Sequence, residues 1–351
     1  MRRLLALLAA VAMVVASLVI RSRLDRNQGE LAHPARLTCA TELEATCNTI
    51  REAAGADRLV LTVEAAGTTA DRLAGATGDP GLDGWLVPDP WPDMVDIRRR
   101  TKALEPLFAT GRQPLGRSPL ALVVWKERGA VLAAKCGTPI GWKCLGDAAA
   151  AGPWTAIGGR PEWGSPKPGP TDPDSSIGLH VLGQAVAEWF GRTDLSTIDL
   201  EDDNFSRWFS ALEKAPSSTS TAASPLDLML AAGPAVYDAT GAAEAEAGPV
   251  LSASARRNEV DTLYPSPMPS AGPVTANVVL ATVTSSPAVA SVRRLAGADE
   301  ARKALAGNGW RVPGQPRVEG VTNSPLPPAT NLPPPGLLEA LRGRWHEVTG
   351  R

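Results

Sequence analysis

Leu4 to Ile20 form an uncharged, almost wholly apolar run with no polar face, preceded by Arg2 and Arg3. A run of 17 residues sits at the short end for a spanning helix and is long for the apolar core of a signal peptide. The pattern predicts an uncleaved anchor with its N-terminus inside. A cleaved signal is the alternative, although Ala16-Ser17 followed by Leu18-Val19-Ile20 makes a poor cleavage site. No Cys follows directly, which excludes a lipid-modified N-terminus.

Beyond a short polar tether the periodicity changes. Arg36–Ala40 reads as a strand, then Thr41 as the N-cap of a helix with Glu42 and Glu44 in its first turn, ending near Ala54. Arg58–Val63 is a second strand. Thr68-Thr69 precede a helix over 70–76. Gly84–Val87 is a third strand, ended by Pro88-Asp89-Pro90. Strand, helix, strand, helix, strand is the order of a parallel α/β sheet. Leu120–Trp125 is apolar throughout, as a fully buried strand requires. A Gly-, Pro- and Trp-rich stretch follows, with a helix near 146–151 and too much proline from Pro161 to Pro173 for regular structure. Helices are expected over Ile177–Phe190, Phe205–Lys214 and Pro225–Ala232, a short strand over Pro234–Asp238, and a helix from Ala242. Val274–Val283 is a strong β run. Val289–Asn308 is helical with a break at Gly297. The Pro-rich tail from Pro313 ends in an amphipathic piece, Gly336–Val348, with Leu337, Leu338, Leu341 and Trp345 on one face.

Composition changes this picture little. Hydrophobic residues are 44% and charged residues 21% of 351, so an ordered body of about two domains is expected. The formal net charge of −2 gives no basic excess for nucleic acid. The first 26 residues hold five arginines against one aspartate, so the remainder is mildly acidic. The four cysteines fall into two pairs, Cys39 with Cys47 and Cys136 with Cys144. Outside the cell two local disulfides are the simplest reading. Zinc is the competing one, but it prefers closer ligand spacing, and the three histidines are scattered.

The order of these pieces resembles the type 2 periplasmic-binding-protein fold, in the branch of bacterial extracellular solute-binding domains. The stretches that carry the resemblance are Leu37–Ala54, Gly84–Pro90, Arg117–Val124, Asp172–Gly178, Ala235–Ala239, Tyr264 through Leu280, and Leu305-Ala-Gly-Asn-Gly-Trp-Arg311. The resemblance implies one lobe of about residues 36–112 plus 268–316, a second of 113–267, and two crossover hinge strands near 113–125 and 263–283. Residues 1–26 are then the anchor and 317–351 a tail with its terminal helix. Such lobes close on a ligand held between them.

In open α/β sheets ligands sit beyond the carboxyl ends of strands, at helix N-termini, where free N–H groups favour polar or anionic groups. The candidates are Thr41, Glu42, Asp89, Ser118, Ser175, Ser176 and Tyr237, each weighed against a plain capping, turn or packing role. Trp91 is read as core, with cleft lining as its alternative. Glu42 and Asp89 weaken an oxyanion reading and leave room for a cationic, zwitterionic or sugar-like solute. No G-x-S-x-G, Walker, G-x-G-x-x-G or H-E-x-x-H pattern occurs, so no enzyme and no cofactor are expected. The sequence therefore suggests an exported, membrane-anchored binding protein for a small polar solute, working with a membrane permease or another envelope protein. The alternative is a non-transporting envelope scaffold on the same fold.

Overall fold

β1 (Ala35–Ala40) pairs in parallel with β2 (Leu59–Glu64) and with β3 (Gly84–Asp89), placing Leu37 beside Leu61 on one side and Gly84 on the other. β1 and β3 are buried along nearly their whole lengths, as strands covered on both faces are. The crossovers are α1 (Glu44–Ala54) and α2 (Ala66–Gly75). The computed structural model describes residues 34–214, 224–268, 271–317 and 330–350. The expected N-terminal anchor lies outside them. Among the described residues no helix is long and apolar enough to cross a membrane.

Thr41 is not the helix cap expected. Thr41–Leu43 make a separate 3₁₀ turn, and α1 starts at Glu44 with no side-chain cap. The Cys39–Cys47 disulfide ties the end of β1 to α1 instead. α2 begins four residues before the expected start, because Thr69 spends its hydroxyl on Glu64 (2.6 Å) rather than on a cap. β3 runs on through Pro88 and Asp89, paired antiparallel with β7 (Thr275–Thr282). It leads into α3 (Trp91–Thr101), which the sequence reading passed over. Its Pro92 lies in the first turn, where a missing N–H costs nothing, and Trp91, Met94 and Val95 face inward.

β4 (Gly116–Trp125) changes partners along its length. Gly116–Pro119 pair antiparallel with β7, whereas Leu120–Trp125 pair with β5 (Ala239–Ala243) and β6 (Val260–Leu263). The strand path is β2-β1-β3-β7-β4-β5, with β6 also on β4. The sheet thus falls into two halves joined through β4 and β7. The second half carries α4 (Lys126–Cys136), α5 (Trp142–Ala151), α6 (Ser176–Phe190), α7 (Asp203–Glu213), α8 (Pro225–Ala232) and α9 (Glu244–Ala253). A second disulfide, Cys136–Cys144, joins α4 to α5. The chain returns to the first half with α10 (Val289–Ala296) and α11 (Asp299–Gly307).

The strand expected at 234–238 forms five residues later, as β5. Gly233 takes a positive φ of 79° and a 3₁₀ turn fills Gly233–Ala235. The sequence Ala-Thr-Gly-Ala-Ala, with Thr240 its one β-branched residue, gives a weak strand signal because its neighbours are large. A Cβ on Gly241 would meet the Trp142 ring at 2.7 Å and Val181 at 2.5 Å. In the same half Trp189 stacks on Trp208, with Phe205 and Phe209 packed nearby. The terminal helix, α12 (Pro335–Thr349), packs back with Leu337, Leu338, Leu341 and Trp345 buried.

Candidate functional site

The C-terminal end of β1 and the N-terminus of α6 face each other across the two halves. Between them lies a cavity of about 500 Å³. The first half contributes Thr41 and Glu42. The second contributes the loop Pro170-Thr171-Asp172, Ser175, Ile177, Gly178 and Val181, the start of α8 at Ser224-Pro225-Leu226, Gly241 and Ala242 of β5, and Glu246 and Val250 of α9. Three helix N-termini or their approaches therefore meet here, as expected for sites built beyond strand ends.

Each N-terminus is already satisfied. Ser175 caps α6, its Oγ accepting from the Gly178 N–H (2.8 Å). The Ser176 N–H (2.7 Å) and the Ile177 N–H (3.3 Å) donate to Glu42 Oε1, a carboxylate from the opposite half. Ser224 caps α8 through the Asp227 N–H (3.1 Å). Glu246 accepts from the Ala243 N–H (3.1 Å) at the start of α9. The seat an anionic ligand would take on α6 is filled by the protein's own carboxylate.

The charge lining the cavity has one sign. Glu42, Asp172 and Glu246 are its ionisable groups, and no Lys, Arg or His lines it. Burial, and then the nearby Glu42 charge, push the Glu246 carboxyl up to about 8. Thr171, Ser175, Ser224 and Thr41 add hydroxyls, and Leu226, Val181 and Val250 add apolar wall. This mixture of apolar surface and a few convergent polar groups suits a small organic solute. Among the described residues no group of three His, Cys, Asp or Glu side chains could hold a metal ion.

Of the sequence candidates, Thr41, Glu42 and Ser175 come together at the cavity. The other four do not line it. Ser176 supplies its N–H to Glu42, but its side chain is buried and its Oγ lacks a hydrogen-bond partner. Asp89 faces Arg112, at 3.3 Å from a terminal guanidinium nitrogen, and burial raises its carboxyl pKa. Its carbonyl lies 2.6 Å from His180 Nε2, another contact between the halves. Burial lowers the His180 pKa, against the two carbonyls, of Ser176 and Asp89, that favour its protonated form. Ser118 is fully buried and accepts from the Ala245 N–H (2.9 Å), so it caps α9 from inside the sheet. Tyr237 is buried beside Trp125, Met229 and Leu230, and its carbonyl accepts from Trp125 Nε1 (2.8 Å). Trp91 is buried core.

Sequence reasoning missed Thr171, Asp172, Ser224 and Glu246. Ser224-Pro225 with Asp227 three residues on is a readable helix start and pointed to α8, though not to a cavity. Glu246 carried no local signal, because only tertiary packing brings the start of α9 to the cavity.

No family model matches the chain, and no curated protein does. Solved structures do match in fold. HitA of Pseudomonas aeruginosa, solved with iron bound, superposes with a TM-score of 0.55 at 14% identity, over 90% of this chain and 99% of its own. AfuA of Actinobacillus pleuropneumoniae, a periplasmic binding protein solved with fructose-6-phosphate, gives 0.55 at 10% identity, over 90% and 96%. The Trichodesmium protein IdiA (FutA), in complex with iron and citrate, gives 0.54 at 9% identity, over 90% and 97%. At these identities the likeness establishes the two-domain periplasmic-binding-protein fold.

Proposed function

We propose that this chain is an exported binding protein that closes two lobes on a small polar solute carrying positive charge. The observation that carries the reading is the cavity between the halves, lined by Glu42 from one and by Asp172 and Glu246 from the other, with no basic side chain. A solute ammonium there would compensate the Glu246 carboxyl, which burial and then the nearby Glu42 charge keep protonated up to about pH 8. An oxyanion would find the α6 N-terminus taken by Glu42, with the Asp172 and Glu246 carboxyl groups also lining the cavity and no basic side chain. The sugar phosphate, and the iron with citrate, held by proteins of this fold are therefore poor guides to the solute here.

On this reading residues 36–112 with 268–316 form one lobe and 113–267 the other. β4 and β7 are the hinge, since each pairs with both halves. The run Leu4–Ile20 holds the protein at the outer face of the membrane, where the two disulfides are stable. A permease or another envelope protein receives the solute. On this reading the role is binding without catalysis.

Thermal unfolding of the full chain across amines, polyamines, amino acids, sugars and oxyanions tests this. A solute at about a hundred times its Kd adds roughly 2.7 kcal/mol, several degrees for a protein of this size. The expected result is stabilisation by an amine-bearing compound. A flat panel on folded protein overturns the reading and favours the scaffold role.

A further inference from the structure

We propose that α12 is an intramolecular latch that holds the two halves closed with no solute between them, and that Arg342 is its bolt. The helix lies outside the strand path, yet it packs on α3 of the first half and on α6 and α7 of the second. Its apolar face is buried, and Gly183 of α6 makes room for it. A Cβ there would come within 2.9 Å of both Leu332 and Leu338.

Arg342 joins the halves directly. Its terminal nitrogens donate to both carboxylate oxygens of Asp71 on α2, at 2.9 and 2.8 Å. Its Nε donates to Asp174, in the loop that leads into α6, at 2.5 Å. A guanidinium is suited to this, because its planar fork fixes two carboxylates in one relative orientation. Arg342 is only 8% exposed, so water competes weakly for it. Asp71 also receives Arg98 of α3, which reaches Glu339 of α12 (3.5 Å). Burial of Arg342 therefore depends on both halves staying in place.

The latch also reaches the cavity wall. Trp345 Nε1 donates to Glu213 of α7 (2.8 Å), and the same carboxylate oxygen accepts from the Thr171 hydroxyl (2.8 Å). Thr171 lines the cavity. Beneath Arg342 the halves touch closely, for the Gly67 N–H donates to the Asp174 carbonyl (2.8 Å). A closed conformation alone then does not report an occupied site. This goes beyond the solute-binding reading and stands without it, since its test uses no ligand.

The test is a distance measurement between nitroxide labels on Glu52→Cys of α1 and Lys126→Cys of α4, both exposed, in the solute-free full chain. The four native cysteines are paired, so labels reach only the new ones. The wild-type background should give one narrow distance. Arg342→Ala should make a second, longer distance the majority, with Arg342→Lys intermediate. Gly183→Leu, which displaces α12 without touching an ion pair, should give the same longer distance, and it keeps the test valid if Arg342→Ala fails to fold. A broad or long distance in the unsubstituted background overturns the latch. So does a single unchanged distance in both Arg342→Ala and Gly183→Leu.

Discussion

Two helix N-termini in the second half are each closed by a glutamate, and they differ in where that glutamate comes from. Glu188, on α6, accepts from the Trp142 and Lys143 N–H groups of α5 at 2.9 and 3.1 Å. Glu42, on the far side of the cavity, accepts from the Ser176 and Ile177 N–H groups of α6 at 2.7 and 3.3 Å. The bonds are chemically alike, since both set a carboxylate at the positive end of a helix dipole. The first stays within one half, and breaking it damages the fold of that half. The second crosses the cavity, so breaking it removes one tie between the halves. A contact's place in the sheet topology decides whether it serves stability or motion.

Substitutions separate the two kinds. The largest effect is expected within the second half at Arg128→Ala. Arg128 pairs at 2.7 Å with Asp238, which is fully buried and also accepts from Trp154 Nε1 and the Lys167 N–H. Removing the arginine leaves a buried charge unpaired, at a cost of about 3–5 kcal/mol in denaturant unfolding. Glu188→Ala should cost about 1–2 kcal/mol, the usual loss for a helix cap. Thr171→Val removes one buried hydrogen bond to Glu213 and should cost about 1 kcal/mol. Glu42→Gln should cost under about 1 kcal/mol of global stability, because it weakens only one tie across the cavity. A loss at Glu42 as large as that at Glu188 would erase the distinction.

The pH dependence sharpens the same comparison. Burial pushes the Glu188 carboxyl up to about 7 from its ordinary 4.5. The folded state then binds this proton more tightly than the unfolded chain does. Stability from this group is fullest below about 4.5, falls as pH rises to about 7, and stays lower beyond. Glu188→Gln removes that slope, so the variant should gain on the wild type across this window in unfolding titrations. Parallel slopes for the two proteins would contradict the burial argument.

Much of the scaffold was legible in the sequence. β1, β2, β4 and β7 announced themselves through β-branched and apolar runs, and α6 through its Ser175 cap and long apolar period. Both disulfides followed from local spacing and an exported setting. α3 escaped because Pro88-Asp89-Pro90 read as the sharp end of a strand with no helix start after it, whereas Pro92 suits a first turn. β5 escaped because its small residues are chosen by Trp142 and Val181, which lie far away in sequence. The site was half legible for the same reason. Helix-start chemistry pointed to Thr41, Glu42 and Ser175, whereas Glu246 and Asp172 join them only through tertiary packing. How the tail docks was not legible, because Arg342 finds Asp71 and Asp174 across 271 and 168 residues of chain.

The most direct measurement is the thermal stabilisation given by a diamine to wild-type protein and to Glu246→Gln, at about pH 6 and about pH 9, either side of the Glu246 carboxyl at about 8. The account predicts stabilisation of the wild type that grows at the higher pH, as Glu246 ionises, and no such growth in Glu246→Gln. Stabilisation by sulfate instead, or a diamine effect indifferent to both pH and Glu246, would contradict it.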